Sequence, residues 1–254
     1  MRSLLTFLFI ALLTSTANTA TFTLGKVGNG RNIAGILIEG EIVPGDFAKF
    51  ESEVLRRQNI DPIWLASPGG DMIEAMKIGE LIRELKLSVW APSKNGLLFP
   101  AVSNRANAVC ASACFYLYAA GVQRRGEVVG IHRPYLPQAT LAAMELDAAA
   151  QAQSVALGIS REFLTRAGVP QSIIEHIASI ASNQIVWLTA DELSSLNGFI
   201  PEFDEWFKAK CAKDPKTHLP LTMVGRFECQ SKLLESEQAA AKFRWLLRSA
   251  PRSE

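Results

Sequence analysis

The chain has 254 residues, 48% hydrophobic and 20% charged, with 26 basic against 25 acidic residues. That length permits one large domain or two small ones, and it buries a core without needing metal or disulfide staples. The near-neutral balance excludes the basic excess that a nucleic-acid partner demands, so no nucleic acid is expected.

Arg2 precedes an apolar run from Leu4 to Leu13 and then a small, polar stretch from Thr14 to Ala20. This is the order of a signal peptide over residues 1–20, with cleavage after Ala17 or Ala20. The run is shorter than the roughly 20 residues of a bilayer span. No later segment reads as a span, so no membrane contact is expected beyond the leader. Export implies the periplasm or the exterior, where thiols oxidise. The four cysteines then favour disulfides. Cys211 and Cys229 flank a loop containing Pro and Gly and are the expected pair. Cys110 and Cys114 lie four apart around a serine and pair only if the backbone turns between them. Without a CxxC, an HExxH or a His-rich tract, no metal is expected.

In chain order, Ile33 to Ile38 predicts a buried strand rich in β-branched residues. Asp46 predicts the cap of a helix reaching Arg57. Pro62 to Ala66 predicts a second strand, ended by the tight loop Ser67-Pro68-Gly69-Gly70. Asp71 opens an amphipathic helix whose apolar positions are Met72, Ala75, Met76, Gly79 and Ile82. Leu87 to Ala91 and Ala108 to Cys110 read as the third and fourth strands, the latter running through Ser112 into an apolar helix that ends at Ala120. Glu127 to Ile131 is the fifth, ending at His132-Arg133-Pro134. From Gln138 to Ile180 the pattern is helical, with Pro170 starting the last helix. Ile185 to Leu188 is a short strand, and Thr189 to Glu192 is a capping box for a helix that Gly198 ends. A terminal helix is expected over Lys232 to Arg248. Alternating strands and helices predict α/β layers on a largely parallel sheet. Trp64 and Trp187 read as core, His176 as surface or core, and Arg56-Arg57 and Arg124-Arg125 as solvated pairs.

Open α/β sheets collect their sites at the carboxyl ends of strands. The Gly69-Gly70 loop, the Ser112 turn and His132 all fall at such ends. Ser112 is then a candidate nucleophile and His132 its base, with backbone N–H groups of Ala113 and the glycine loop free for an oxyanion. Taken singly, each residue has a plainer role: a helix cap, a tight turn, a surface histidine.

Three motifs occur in order: Ser67-Pro68-Gly69-Gly70-Asp71, Cys110-Ala111-Ser112-Ala113-Cys114 and Gly130-Ile131-His132-Arg133-Pro134. Together they resemble the Clp protease proteolytic-subunit family, and in particular its exported relatives within the ClpP/crotonase superfamily. The segments Trp187 to Leu193 and Asn197 to Ile200 resemble the family's trailing motif, so the likeness runs from about Ile33 to Ile200. It implies stacked β-β-α units over residues 21–202, followed by a helical appendage over 203–254. It also implies a serine peptidase with Ser112 as nucleophile, His132 as general base, and Gly70 and Ala113 as oxyanion donors. The family's orienting aspartate falls here on Ile185, which cannot orient an imidazole. Candidate replacements are Asn183, Gln184, Asp147 and Asp191. A peptide or protein substrate and a homo-oligomer are implied, with no cofactor and, outside the cytosol, no ATPase partner. Two other readings stay open: a binding or scaffold protein on the same fold, and acyl-thioester chemistry, which the exported location disfavours.

Overall fold

The computed structural model of the chain describes residues 19–28, 32–57, 60–96, 99–136, 140 and 142–249. The leader expected over residues 1–20 lies outside the described residues up to position 18.

The chain forms a mixed α/β structure whose main sheet has six strands in the order β1 (Thr21–Gly28), β2 (Asn32–Glu39), β3 (Ile63–Ala66), β4 (Ser88–Trp90), β6 (Gln123–Arg125) and β9 (Gly198–Phe199). The four central strands run parallel, and β1 and β9 close the edges antiparallel. A second sheet holds β5 (Cys110–Ala111), β7 (Val129–Ile131) and β8 (Val186–Trp187); β5 and β7 are parallel and β8 is antiparallel. The helices are α1 (Asp46–Arg56), α2 (Met72–Glu84), α3 (Cys114–Ala120), α4 (Leu146–Arg166), α5 (Gln171–Ser179), α6 (Ala190–Leu196), α7 (Pro201–Lys210) and α8 (Met223–Ser249).

Strand β3 (IWLA) and the Ile36–Ile38 stretch of β2 are unbroken apolar runs because both of their faces are covered. Ile36 and Ile38 of β2 sit in register with Ile63 and Leu65 of β3, and all four belong to the same buried cluster as Ile78, Leu81 and Ile82 of α2. The alternate residues Leu37, Trp64 and Ala66 form a second cluster on the opposite face, beside Trp90 and Phe99.

Three expectations are corrected. Asp46 lies inside the first turn of α1 rather than capping it from outside. Its buried carboxylate accepts the N–H of Val43 at 2.8 Å, and Gly45, at φ 95°, is the cap residue. The Arg124-Arg125 pair is not a solvated face. Strand alternation turns Arg124 inward to 3% exposure, where its guanidinium donates to the carbonyls of Gly121 and Ala167. Trp187 is 49% exposed, because β8 is an edge strand with one face open.

Two buried carboxylates tie loops to this frame. Glu39 accepts from the N–H groups of Ser103 and Asn104 at 2.9 Å and from the Ser103 hydroxyl at 2.7 Å. Glu74 accepts from the N–H groups of Gly45 and Phe47 and pairs with Lys77 at 3.0 Å. Burial alone would push both carboxyls up. For Glu39 the donors of Ser103 and Asn104, and for Glu74 the Phe47 N–H, Lys77 and the Gly45 N–H, outweigh it and hold each below 4.5. A carboxyl depressed in the folded state stabilises the fold above its unfolded pKa, and that contribution is lost as pH falls through the folded value. Stability should therefore drop below about pH 4.5. Glu74→Gln should remove part of that acid dependence and cost about 1 kcal/mol at neutral pH, since the Lys77 ion pair is lost and the Gly45 and Phe47 N–H groups then meet a neutral oxygen. Urea unfolding midpoints at pH 7 and pH 4 measure both effects.

The C-terminal segment packs back onto this frame. Phe207 of α7 is fully buried with Val122, Ile200 and Leu234. The Cys211–Cys229 disulfide joins the end of α7 to α8. Along α8, Gln238 donates to the Lys86 carbonyl at 2.9 Å, Lys242 donates to the carbonyls of Val54 and Arg57 at the end of α1, and the Trp245 indole N–H meets Glu51 at 2.9 Å. The helix begins nine residues before the expected Lys232, at Met223. Replacing both cysteines of this pair by serine should lower stability by about 3 kcal/mol, the chain-entropy value for a loop of this length, read by thermal unfolding under oxidising conditions.

Candidate active site

The loop after β3 is stitched to a neighbouring strand-like segment. Ile42 donates to the Gly69 carbonyl at 2.7 Å, and Asp71 donates to the Ile42 carbonyl at 2.8 Å. The Ser67 hydroxyl accepts the Gly69 N–H at 3.1 Å and tightens the turn. Gly69 and Gly70 have φ of 111° and 131°, a region that L-residues with a side chain rarely enter. Space excludes a side chain as well. A Cβ at Gly69 would lie 2.6 Å from the Ser112 Cβ, and one at Gly70 would lie 2.1 Å from the Ile42 carbonyl oxygen. The glycines let this loop touch the Ser112 turn.

Ser112 sits between β5 and α3 with φ 56°, in the left-handed region. Its N–H donates to the Gly130 carbonyl at 3.0 Å, and its carbonyl accepts from Phe115 at 2.9 Å. The Cys110–Cys114 disulfide bridges this turn; the backbone does turn there, which is what that pairing required. The strained conformation lifts the Ser112 hydroxyl out of the strand direction toward the end of β7.

His132 follows β7 directly. Its Nε2 lies 2.5 Å from Ser112 Oγ, and its Nδ1 lies 2.7 Å from the Arg133 carbonyl oxygen. A carbonyl only accepts, so Nδ1 carries the proton and Nε2 offers its lone pair to the Ser112 hydroxyl. Tyr135 stacks obliquely against the imidazole, 5.6 Å between ring centres. Among the described residues, neither the Gly70 N–H nor the Ala113 N–H donates to a protein acceptor.

These groups line one cleft of about 780 Å³ with Gly70, Ala113, Ile42, Met72, Phe115 and Ile177. Glu41 and Asp71 also line it, and the Asp71 carboxylate accepts the Glu74 N–H at 2.7 Å as the cap of α2. A second hollow of about 410 Å³, lined by residues including Trp90, Gln123, Arg125 and Asn197, contains none of these groups.

The third position departs from the expectation. Asn183 lines the cleft but makes no hydrogen bond to His132, and Asp191 lies exposed in the first turn of α6. Asp147 is in the exposed first turn of α4, and Gln184 is exposed. Ile185, at the cleft, packs over Gly130. The Arg133 main-chain carbonyl occupies the place a carboxylate would take. The signal for it is Pro134, which confines the preceding residue to extended conformations and so fixes where that carbonyl points. His176 lies apart from the cleft, with Nδ1 2.7 Å from Glu192. Among the described residues no three His, Cys, Asp or Glu side chains gather as a metal site, and no helix is long and apolar enough to cross a membrane.

No family model and no curated protein matches the chain. Among solved structures, the chain is similar to a ClpP1 mutant from Listeria monocytogenes, with 19% sequence identity and a TM-score of 0.43, covering 63% of this chain and 85% of that one.

Proposed function

We propose that the chain is an exported serine hydrolase of Clp type that cleaves peptide bonds. The single observation that carries this reading is the 2.5 Å contact between Ser112 Oγ and His132 Nε2, made at a strained turn beside two uncommitted backbone N–H groups. In this reading Ser112 Oγ attacks the scissile carbonyl while His132 Nε2 takes its proton. The Gly70 and Ala113 N–H groups receive the oxyanion. The imidazolium then returns the proton to the leaving amine, and water releases the acyl group by the same steps reversed.

The Arg133 carbonyl holds the productive tautomer but brings no negative charge to the imidazolium. Replacing the aspartate of a Ser-His-Asp site costs about 10⁴-fold in turnover, largely because the wrong tautomer results. A carbonyl recovers orientation and not charge, so turnover is expected between that of a full triad and that of a triad without its acid.

The leader reading places the enzyme in the periplasm or outside the cell. Cleavage after Ala17 fits best, because Ala20 is buried in the core and donates to the Glu41 carbonyl at 2.7 Å. Exposed apolar side chains on α8, among them Met223, Val224 and Phe227, support self-association into a homo-oligomer.

The test is digestion of a mixed peptide library by the mature protein beside Ser112→Ala, read by mass spectrometry. New termini formed by the wild type and absent with the variant support peptide-bond cleavage. Retention of peptides without cleavage supports the binding reading, for which the missing carboxylate is the favouring observation.

A further inference from the structure

We propose that Gln153 is a positioning residue for His132; this rests on the hydrolase reading above. Residues 133–136 belong to no strand or helix. Apart from the His132 contact to Arg133, the hydrogen bonds that fix them among the described residues come from one side chain. Gln153 Nε2 donates to the Pro134 carbonyl at 2.6 Å, and the Leu136 N–H donates to Gln153 Oε1 at 3.3 Å. The amide is satisfied on both ends in one orientation only, since a carbonyl must meet its NH₂ and an N–H its oxygen.

Gln153 lies on the inward stripe of α4. It precedes Ala156, Ser160 and Phe163, all buried, at helical spacing. That stripe is anchored on α3, the helix that begins just after Ser112. Tyr116 and Ser160 share a buried hydrogen bond of 2.7 Å, and Phe163 meets the Tyr116 ring edge-on at 5.7 Å. The nucleophile's turn leads into α3, α3 seats α4, and α4 holds the segment that carries the Arg133 carbonyl. The base is thereby referenced to the same helix as the nucleophile. Because the orienting group is a main-chain atom, no substitution at position 133 deletes it, and its placement falls to Pro134 and Gln153.

Two variants test this. Gln153→Ala removes both bonds. Gln153→Glu keeps the shape and the acceptor for Leu136 but sets a carboxylate oxygen against the Pro134 carbonyl in place of the donor, so it serves where the alanine variant folds poorly. Two readouts are taken on protein shown folded by thermal unfolding. One is the rate of covalent modification by a fluorophosphonate, separated into its maximal rate and half-saturating concentration. The other is the ring ¹⁵N spectrum of His132, assigned with His132→Ala. The expected result is a maximal rate lower by about 10-fold to 100-fold, with half-saturation unchanged, and an Nδ1–H signal that weakens toward mixed tautomers. A maximal rate within twofold of wild type, or an unchanged Nδ1–H signal, overturns the proposal. If the wild type itself is not modified, the hydrolase reading fails, and the His132 spectrum still decides whether Gln153 positions the ring.

Discussion

Ser112→Ala should leave the fold intact and lower peptide hydrolysis by about 10²-fold to 10⁶-fold, the limits set by a site without its acid and by a full triad. The side chain is small, and among the described residues its one hydrogen bond runs to His132, so its loss deprives no other described group of a partner. The backbone bonds of the turn, from Ser112 to Gly130 and from Phe115 to Ser112, do not depend on the hydroxyl. A residue with φ 56° tolerates alanine no worse than serine. Unfolding temperature should therefore be nearly unchanged while turnover collapses, and that separation distinguishes a nucleophile from a structural cap. His132→Ala should lose nearly as much, and the two losses should not add, because each half of the pair is idle without the other. Kinetics of the double variant beside both singles measure this directly.

Gly70→Ala should be the most damaging single-methyl change at the site. The added Cβ would sit 2.1 Å from the Ile42 carbonyl oxygen, which is backbone and cannot swing away, at a φ of 131°. Conformational strain alone is worth about 1–2 kcal/mol, and the clash adds to it. The loop must lift from Ile42, and the Gly70 N–H is displaced from the cleft lining with it. Loss of one oxyanion donor costs about 10²-fold to 10³-fold in turnover. The variant should thus fall in both stability and activity, where Ser112→Ala falls in activity alone. Paired thermal unfolding and hydrolysis assays check the contrast.

Much of the frame was legible because the sequence states it locally. The β-branched run of β2, the stop at Ser67 to Gly70, the Asp71 cap and the Thr189 capping box each carry their own chemistry, and each stands where that chemistry put it. What was missed depends on distant partners. Strand β1 offers Phe22 and Leu24 in alternation, but Leu24 is exposed, and the strand exists by pairing along the whole of β2. Arg124 reads as surface by charge, and only the carbonyls of Gly121 and Ala167 make its burial tolerable. At the site, Ser112, His132, Gly70 and Ala113 were legible as motif residues and are brought to one cleft. The sequence offers side chains as the imidazole's partner, Asn183 and Asp191 above all, whereas the partner is a main-chain oxygen. A backbone atom leaves no letter of its own in a sequence; only the proline after Arg133 hints at it.

The most direct measurement is the intact mass of the purified mature protein after treatment with a fluorophosphonate, with peptide mapping of any adduct. The account predicts one adduct per chain, on the peptide containing Ser112, absent from Ser112→Ala and from His132→Ala. A folded wild type that takes up no adduct, or one that carries it on another residue, would contradict an activated Ser112.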